Sequence, residues 1–223
     1  MPGAIAFLHT SPVHVPTFTR LLAEVAPGVP GVHVVDESLL QDARRLGADD
    51  AGVVRRVREA VLAASASAAV VVCTCSTVGG TAEATPTGGR FVASRIDRAM
   101  ADRAAQLGPA ILAVAALEST LAPTAALIED SAARLGVEAR VAMLAMPEAW
   151  AYFEAGDLPA YHAAIAQGVR QALGGAEADR PTVVVLAQAS MAGAAERLVG
   201  MRVPVLSSPR LGVEAAVRAL SLR

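Results

Sequence analysis

Val70-Val71-Val72-Cys73-Thr74-Cys75-Ser76-Thr77-Val78-Gly79-Gly80 aligns without gaps to Val183-Val184-Val185-Leu186-Ala187-Gln188-Ala189-Ser190-Met191-Ala192-Gly193. Each stretch is a short apolar run rich in valine that ends in small polar residues, the pattern of a strand buried on both faces of a parallel sheet. Ligands of such sheets bind beyond the carboxyl ends of the strands, so two equivalent strand ends that face each other would form a site with pseudo-two-fold symmetry. Outward from these two runs, similar strands are expected at Ala4 to His9, His33 to Asp36, Phe91 to Ser94, Ala110 to Leu117, Ala139 to Ala145 and Val203 to Ser207. The quoted runs begin within strands expected at Ala69 to Cys75 and Thr182 to Gln188. Helices fill the intervals, most clearly Asp50 to Ala66, Asp97 to Leu107, Pro123 to Leu135, Leu158 to Leu173, Ala192 to Val199 and Leu211 to Leu220. Strands that alternate with helices imply βα units and a parallel sheet. Gly47, Gly108 and Gly136 follow helical stretches as C-terminal caps do, and loops are expected at Thr81 to Arg90 and Gly174 to Arg180.

Composition narrows the function. The chain has 223 residues, 54% of them hydrophobic, which is enough for a substantial core in one large or two small domains. Aromatics are few (four Phe, two Tyr and one Trp), so stacking platforms for bases are not expected. The formal charge is −2 with both signs interspersed, which argues against nucleic acid or a lipid surface as partner. No apolar run reaches the roughly 18 residues of a membrane span. The start, Met1-Pro2-Gly3-Ala4, lacks a basic leader, and the expected location is the cytoplasm. All nineteen basic side chains are arginine. Without lysine there is no Schiff base to pyridoxal phosphate or to a ketone, and no Walker A loop.

The segment Cys75-Ser76-Thr77 resembles the first-lobe signature of the aspartate/glutamate racemase superfamily, an apolar strand running into Cys-Asn/Ser-Thr/Ser. Leu186-Ala187-Gln188-Ala189-Ser190-Met191 is similar to the second-lobe signature, with Gln188 where the second cysteine would be. Ala116-Leu117-Glu118-Ser119-Thr120 looks like the Thr-rich segment that opens the second lobe, and Val203-Pro204-Val205-Leu206 like the closing strand, so the resemblance covers most of the chain. It implies an α/β fold of two similar Rossmann-like lobes, each a short parallel sheet flanked by helices, with the active site in the cleft between them. The first lobe is expected to hold residues 1–95 and 204–223, and the second 96–203. A cofactor-independent enzyme is implied, acting at the carbon next to a carboxylate or carbonyl of a small acid.

A two-base racemase places an acid/base group on each face of the substrate carbon, and a glutamine transfers no proton at neutral pH. One-thiol chemistry is then what the resemblance implies for Cys75, with racemase-type isomerisation first. A decarboxylase or other lyase and a hydrolase with Cys75 as nucleophile are the alternatives, and an inactive small-acid-binding regulatory protein is the alternative of another class. Arylmalonate decarboxylase is the superfamily's single-thiol precedent, although its cysteine belongs to the second lobe.

The local chemistry agrees. A thiol becomes a useful base or nucleophile where a helix N-terminus or a cation favours the thiolate, and a helix is expected to begin near Val78 to Ala82. Ser76 and Thr77 stand beside the thiol as donors for a carboxylate or enediolate. Thr10 and Ser11 with His9 at the first strand end, Ser119 and Thr120, and Gln188 with Ser190 complete the expected substrate-binding set. Cys73 lies inside the apolar run and reads as packing. A bridge to Cys75 is disfavoured, because residues two apart on a strand stand ~6.6 Å apart with parallel side chains. His14, His33 and His162 read as surface or capping residues, and Glu118 as a helix-start cap or a general base. Pro147 to Asp157 reads as a packed surface helix or a lid. No His, Asp or Glu cluster has metal-ligand spacing, and a homodimer is the commonest assembly for such folds.

Overall fold

The computed structural model describes residues 3–174 and 181–223. The chain divides into two compact units, Met1–Asp97 with Pro209–Arg223, and Arg98–Ser208. In the first unit the order is β1 (Ile5–His9), α1 (Val15–Val25), β2 (Gly31–Val35), α2 (Glu37–Leu46), α3 (Ala51–Ser65), β3 (Val70–Cys73), α4 (Ser76–Glu83) and β4 (Val92–Arg95). The second contains α5 (Arg98–Leu107), β5 (Ala110–Ala115), α6 (Glu118–Leu135), β6 (Arg140–Ala145), α7 (Pro147–Glu154), α8 (Leu158–Leu173), β7 (Val183–Leu186), α9 (Ala192–Glu196) and β8 (Val205–Ser207). Helix α10 (Ser208–Ser221) returns to the first unit from Pro209 onward.

Both sheets are parallel and four-stranded, with the orders β2-β1-β3-β4 and β6-β5-β7-β8. Counted within each unit this is the same order, second-first-third-fourth. The registers match too: Cys73 lies opposite Leu8, and Leu186, its counterpart in the internal alignment, lies opposite Val114. The expected return to the first unit at residue 204 occurs at 209 instead, because β8 pairs with β7 through Val184 opposite Val205 and Leu186 opposite Ser207.

Strands β1, β3 and β7 are buried along their whole length, which is why they read as unbroken apolar runs. In the first unit Ala6, Leu8, Val71 and Cys73 face α2, α3 and α4 through Leu39, Val57, Val61 and Val78. Phe7 and His9 face the other way, against Phe18 of α1. In the second unit Val114, Val184 and Leu186 pack on Tyr161, Ile165 and Val169 of α8. Helix starts carry side-chain caps: Asp36 accepts from Ser38 N–H, Asp50 from Gly52 and Val53 N–H, and Asp157 from Ala160 N–H. Gly136 ends α6 in the left-handed region at φ +69°, as its sequence position demands.

Several expected boundaries move. Helix α4 begins at Ser76, directly after Cys75, and runs through Glu83 into the expected Thr81 to Arg90 loop. Helix α6 begins at Glu118, five residues before Pro123, which lies inside it. Helix α9 stops at Glu196 and α10 starts at Ser208. The expected loop from Gly174 to Arg180 lies, beyond Gly174, outside the described residues. Among the described residues no helix is long and apolar enough to cross a membrane.

Candidate active site at two strand ends

In each sheet the chain first builds outward on one side and then crosses to the other, so the order reverses between the first and third strands. Their carboxyl ends define the crevice where open α/β sheets bind ligands. In the first unit these ends are His9 and Cys73, followed by Thr10-Ser11 and Thr74-Cys75-Ser76-Thr77. In the second they are Ala115 and Leu186, followed by Ala116 to Thr120 and Ala187 to Ser190. The expected site residues fall into these two groups.

Cys75 is the N-cap residue of α4, in extended backbone conformation (φ −100°, ψ 118°), and its side chain makes no capping bond. It is 9% exposed, against 1% for Cys73. Both cysteines are free. Cys73 donates its thiol to the Cys75 carbonyl at 3.6 Å, and burial, then the neighbouring thiol, pushes its pKa well above the ordinary thiol value. Ser76 and Thr77 form the first turn of α4, each 5% exposed. The turn is thus rich in N–H donors at the positive end of a helix.

A buried ion pair supports this turn. Arg95, at the end of β4, donates Nε and Nη2 to the two carboxylate oxygens of Asp97 at 2.6 and 2.9 Å, and Nη2 also donates to the Ser76 carbonyl at 3.2 Å. Asp97 is fully buried and Arg95 is 6% exposed. The guanidinium lies along Gly79: a Cβ there would stand 3.1 Å from Arg95 Cβ and 3.2 Å from its Nε. The sequence reading missed this pair. Gly79-Gly80, poor helix formers at a helix start, are the one local sign that something approaches closely.

His9 and its neighbours form a chain of hydrogen bonds on the α1 face. Thr74 Oγ1 donates to the Leu8 carbonyl, so His9 Nδ1–H donates to Thr74 Oγ1 at 2.8 Å. His9 Nε2 then accepts from His33 Nδ1–H at 2.9 Å, and His33 Nε2 lies 2.9 Å from the Thr19 hydroxyl, which itself donates to the Val15 carbonyl. Neutral rings satisfy the bonds from Thr74 to His9 and from His9 to His33. Burial first, then the charges of His14 and His33, lowers His9 to about 3, and burial lowers His14 to about 4. Both nitrogens of His9 are therefore engaged inside the unit, and strand alternation turns its ring to the face opposite Cys73. His33, half-buried on the edge strand β2, is the hydrogen-bond partner of His9, and His14 packs edge-on to Phe18. Thr10 is 7% exposed, and Ser11 is partly exposed ahead of the single turn Pro12–His14.

In the second unit the Gln188 side-chain oxygen accepts from the backbone N–H of Ala116 at 2.7 Å and of Leu117 at 3.0 Å. This clamp joins the ends of β5 and β7 across the point of reversal. Leu117 caps α6, whose first turn holds Glu118, Ser119 and Thr120. Glu118 is exposed, Thr120 is 2% exposed, and the Ser119 hydroxyl is buried without a partner. Ser190 shares a hydrogen bond with the fully buried Tyr161 at 3.0 Å, and its carbonyl lies 2.9 Å from His162 Nε2. Gly193 leaves room for the His162 ring. His162 is half-buried and supports the Ser190 turn. The stretch with the only Trp is the packed helix α7: Trp150 stacks on Phe153, which packs on Tyr161. Among the described residues no three His, Cys, Asp or Glu side chains are grouped so as to hold a metal ion.

No family model matches the chain, and no curated protein is significantly similar to it in sequence. Solved structures do match over nearly all of it. Allantoin racemase from Pseudomonas fluorescens superposes with a TM-score of 0.66 at 22% identity, covering 98% of this chain and 91% of that one. The chain has the fold of the aspartate/glutamate racemase superfamily. An aspartate racemase from Picrophilus torridus gives a TM-score of 0.64 at 13% identity over 98% of this chain and 95% of its own. A glycine-to-cysteine mutant of arylmalonate decarboxylase gives 0.58 at 16% identity over 98% and 93%. The racemase fold places Cys75 and Gln188 at equivalent strand ends of its two units, in matched register.

Proposed function

We propose that the chain is a cofactor-independent enzyme of racemase type that moves a proton at the carbon next to a carboxylate or carbonyl of a small acid, with Cys75 as its acid/base. The observation that carries this reading is the placement of Cys75. It caps an eight-residue helix at the carboxyl end of β3, at the sheet's point of reversal, and its side chain is not spent on capping. The backbone N–H groups of the first turn of α4 stand beside the thiol as donors for the enediolate that forms when the proton leaves. The racemases among the similar structures support this class of reaction.

Gln188 favours one-sided proton transfer. Its amide is no acid or base at neutral pH, and its oxygen is already bound to two backbone donors. A lyase needs a proton delivered to one face only, which makes decarboxylation the second reading, and the likeness to arylmalonate decarboxylase supports it.

The test is deuterium incorporation from D₂O into a panel of amino acids, hydantoins and substituted malonates. Exchange at the α-carbon without inversion, abolished in Cys75→Ser, is the expected result. Release of CO₂ with one-sided deuteration assigns the lyase instead. Hydrolysis without exchange would point to Cys75 as nucleophile. Binding without any turnover favours the inert regulatory reading, and exchange that survives in Cys75→Ser removes the thiol from the mechanism.

A further inference from the structure

We propose that Gln188 is a one-way hydrogen-bond donor that reads an oxygen of the ligand, a carboxylate or carbonyl, and so sets specificity in the Arg98–Ser208 unit; this deepens the reading above and rests on it. The argument begins with which atom faces which. Ala116 and Leu117 present N–H groups that only donate, at 2.7 and 3.0 Å, so the atom they hold is the amide oxygen. The amide is planar, and fixing its oxygen fixes the direction of its NH₂. That group has two N–H donors, and among the described residues no acceptor is paired with it.

Gln188 is only 9% exposed, so its amide nitrogen stands at the edge of an otherwise buried side chain. A polar group kept there without a protein partner binds an incoming acceptor at little extra desolvation cost. A second orphan lies close in sequence to the clamp. Leu117, held by Gln188, caps the 18-residue α6, and in the first turn of that helix the Ser119 hydroxyl is buried with no partner. Unused donors therefore collect at the positive end of a long helix, and the nearby Glu118 is exposed. No cation belongs to the set, so a neutral carbonyl and a carboxylate are both suitable acceptors.

A glutamate at this position separates the two ends of the amide. One carboxylate oxygen keeps accepting from Ala116 and Leu117, while the other replaces the NH₂ and presents negative charge where donors stood. The experiment is calorimetric titration of the full chain with succinate, and separately with hydantoin, for wild type, Gln188→Glu, Gln188→Met and Cys75→Ser. Wild type is expected to bind at least one probe, and the preferred probe distinguishes a carboxylate from a carbonyl as the oxygen read. Gln188→Glu is expected to keep the wild-type melting temperature and to bind about tenfold more weakly or worse, the loss of one charge-assisted hydrogen bond, with succinate hit harder. Gln188→Met is expected to melt lower, because it strips the clamp. Unchanged binding in Gln188→Glu overturns the proposal, as does wild type that binds neither probe at millimolar concentration. Melting of Gln188→Glu as low as Gln188→Met overturns the assignment of the oxygen. The thiol reading fails by its own measure, retained exchange in Cys75→Ser, which leaves this binding comparison untouched.

Discussion

Arg95→Met isolates the support beneath the Cys75 turn, and its cost can be worked from the geometry. The guanidinium makes two hydrogen bonds to Asp97, at 2.6 and 2.9 Å, and one to the Ser76 carbonyl at 3.2 Å. Asp97 has no exposed surface, so removing its partner leaves a carboxylate uncompensated in the interior. Breaking a buried pair from one side costs about 3–5 kcal/mol. For a chain of this length that is a drop on the order of 10 °C in melting temperature. The double variant Arg95→Met/Asp97→Leu removes both charges and most of the penalty. What remains is the Ser76 carbonyl without its donor, about 1 kcal/mol. Urea denaturation followed by far-UV circular dichroism compares the four proteins of this cycle. The double variant is expected to be more stable than Arg95→Met alone, and a double variant as unstable as the single one would refute the buried-charge account. So would a loss below about 1 kcal/mol in the single variant.

Two further outcomes follow from the same structure. His9, His14 and His33 all have pKa values lowered from 6.5, with burial as the largest cause in each case. Below about pH 6.5 the unfolded chain then binds more protons than the folded one, so their contribution to stability is complete above that pH. It is lost as the pH falls toward 4 for His14 and 3 for His9, by up to about 1.4 kcal/mol per pH unit and ring. Urea midpoints measured between pH 7 and pH 5, above the carboxylate range, should fall, and a flat or rising profile contradicts the buried neutral network. For the thiols, iodoacetamide followed by peptide mass spectrometry should modify Cys75 first. Cys73 is 1% exposed with its ionisation opposed by burial, and equal labelling of the two would remove the distinction on which the proposed mechanism stands.

What the sequence made legible is what depends on local patterning. Unbroken valine-rich runs betray β3 and β7 because a strand covered on both faces has no polar side to show. The internal alignment pairs Cys73 with Leu186, and the sheets place those two residues in the same register. Gly136 and Asp50 punctuate helices as their chemistry requires. What stayed hidden depends on partners far along the chain. Pro123 resembles a helix start, but α6 begins earlier, where the side chain of Gln188, 71 residues beyond Leu117, holds the preceding N–H groups. Ser76 to Gly80 combines poor helix formers, and it is helical with Arg95 lying beneath it. His33 looks like an exposed strand residue until β2 pairs with β1 and sets it beside His9.

The two strand ends share a register and a following helical turn, yet their side chains do opposite things with the same opportunity. At β7 the glutamine oxygen is consumed by Ala116 and Leu117, which gives the second unit a rigid joint and leaves only donors to offer. At β3 the corresponding joint is made by Thr74 and His9, one residue earlier and on the other face of the sheet. Cys75 packs in the buried cluster of the first unit, and its sulfur makes no capping bond at the head of α4. Proton transfer requires a group whose protonation state is free to change, and hydrogen-bond recognition requires one whose donors are fixed. On the proposed mechanism, the clamp across each sheet leaves Cys75 for the first role and commits Gln188 to the second.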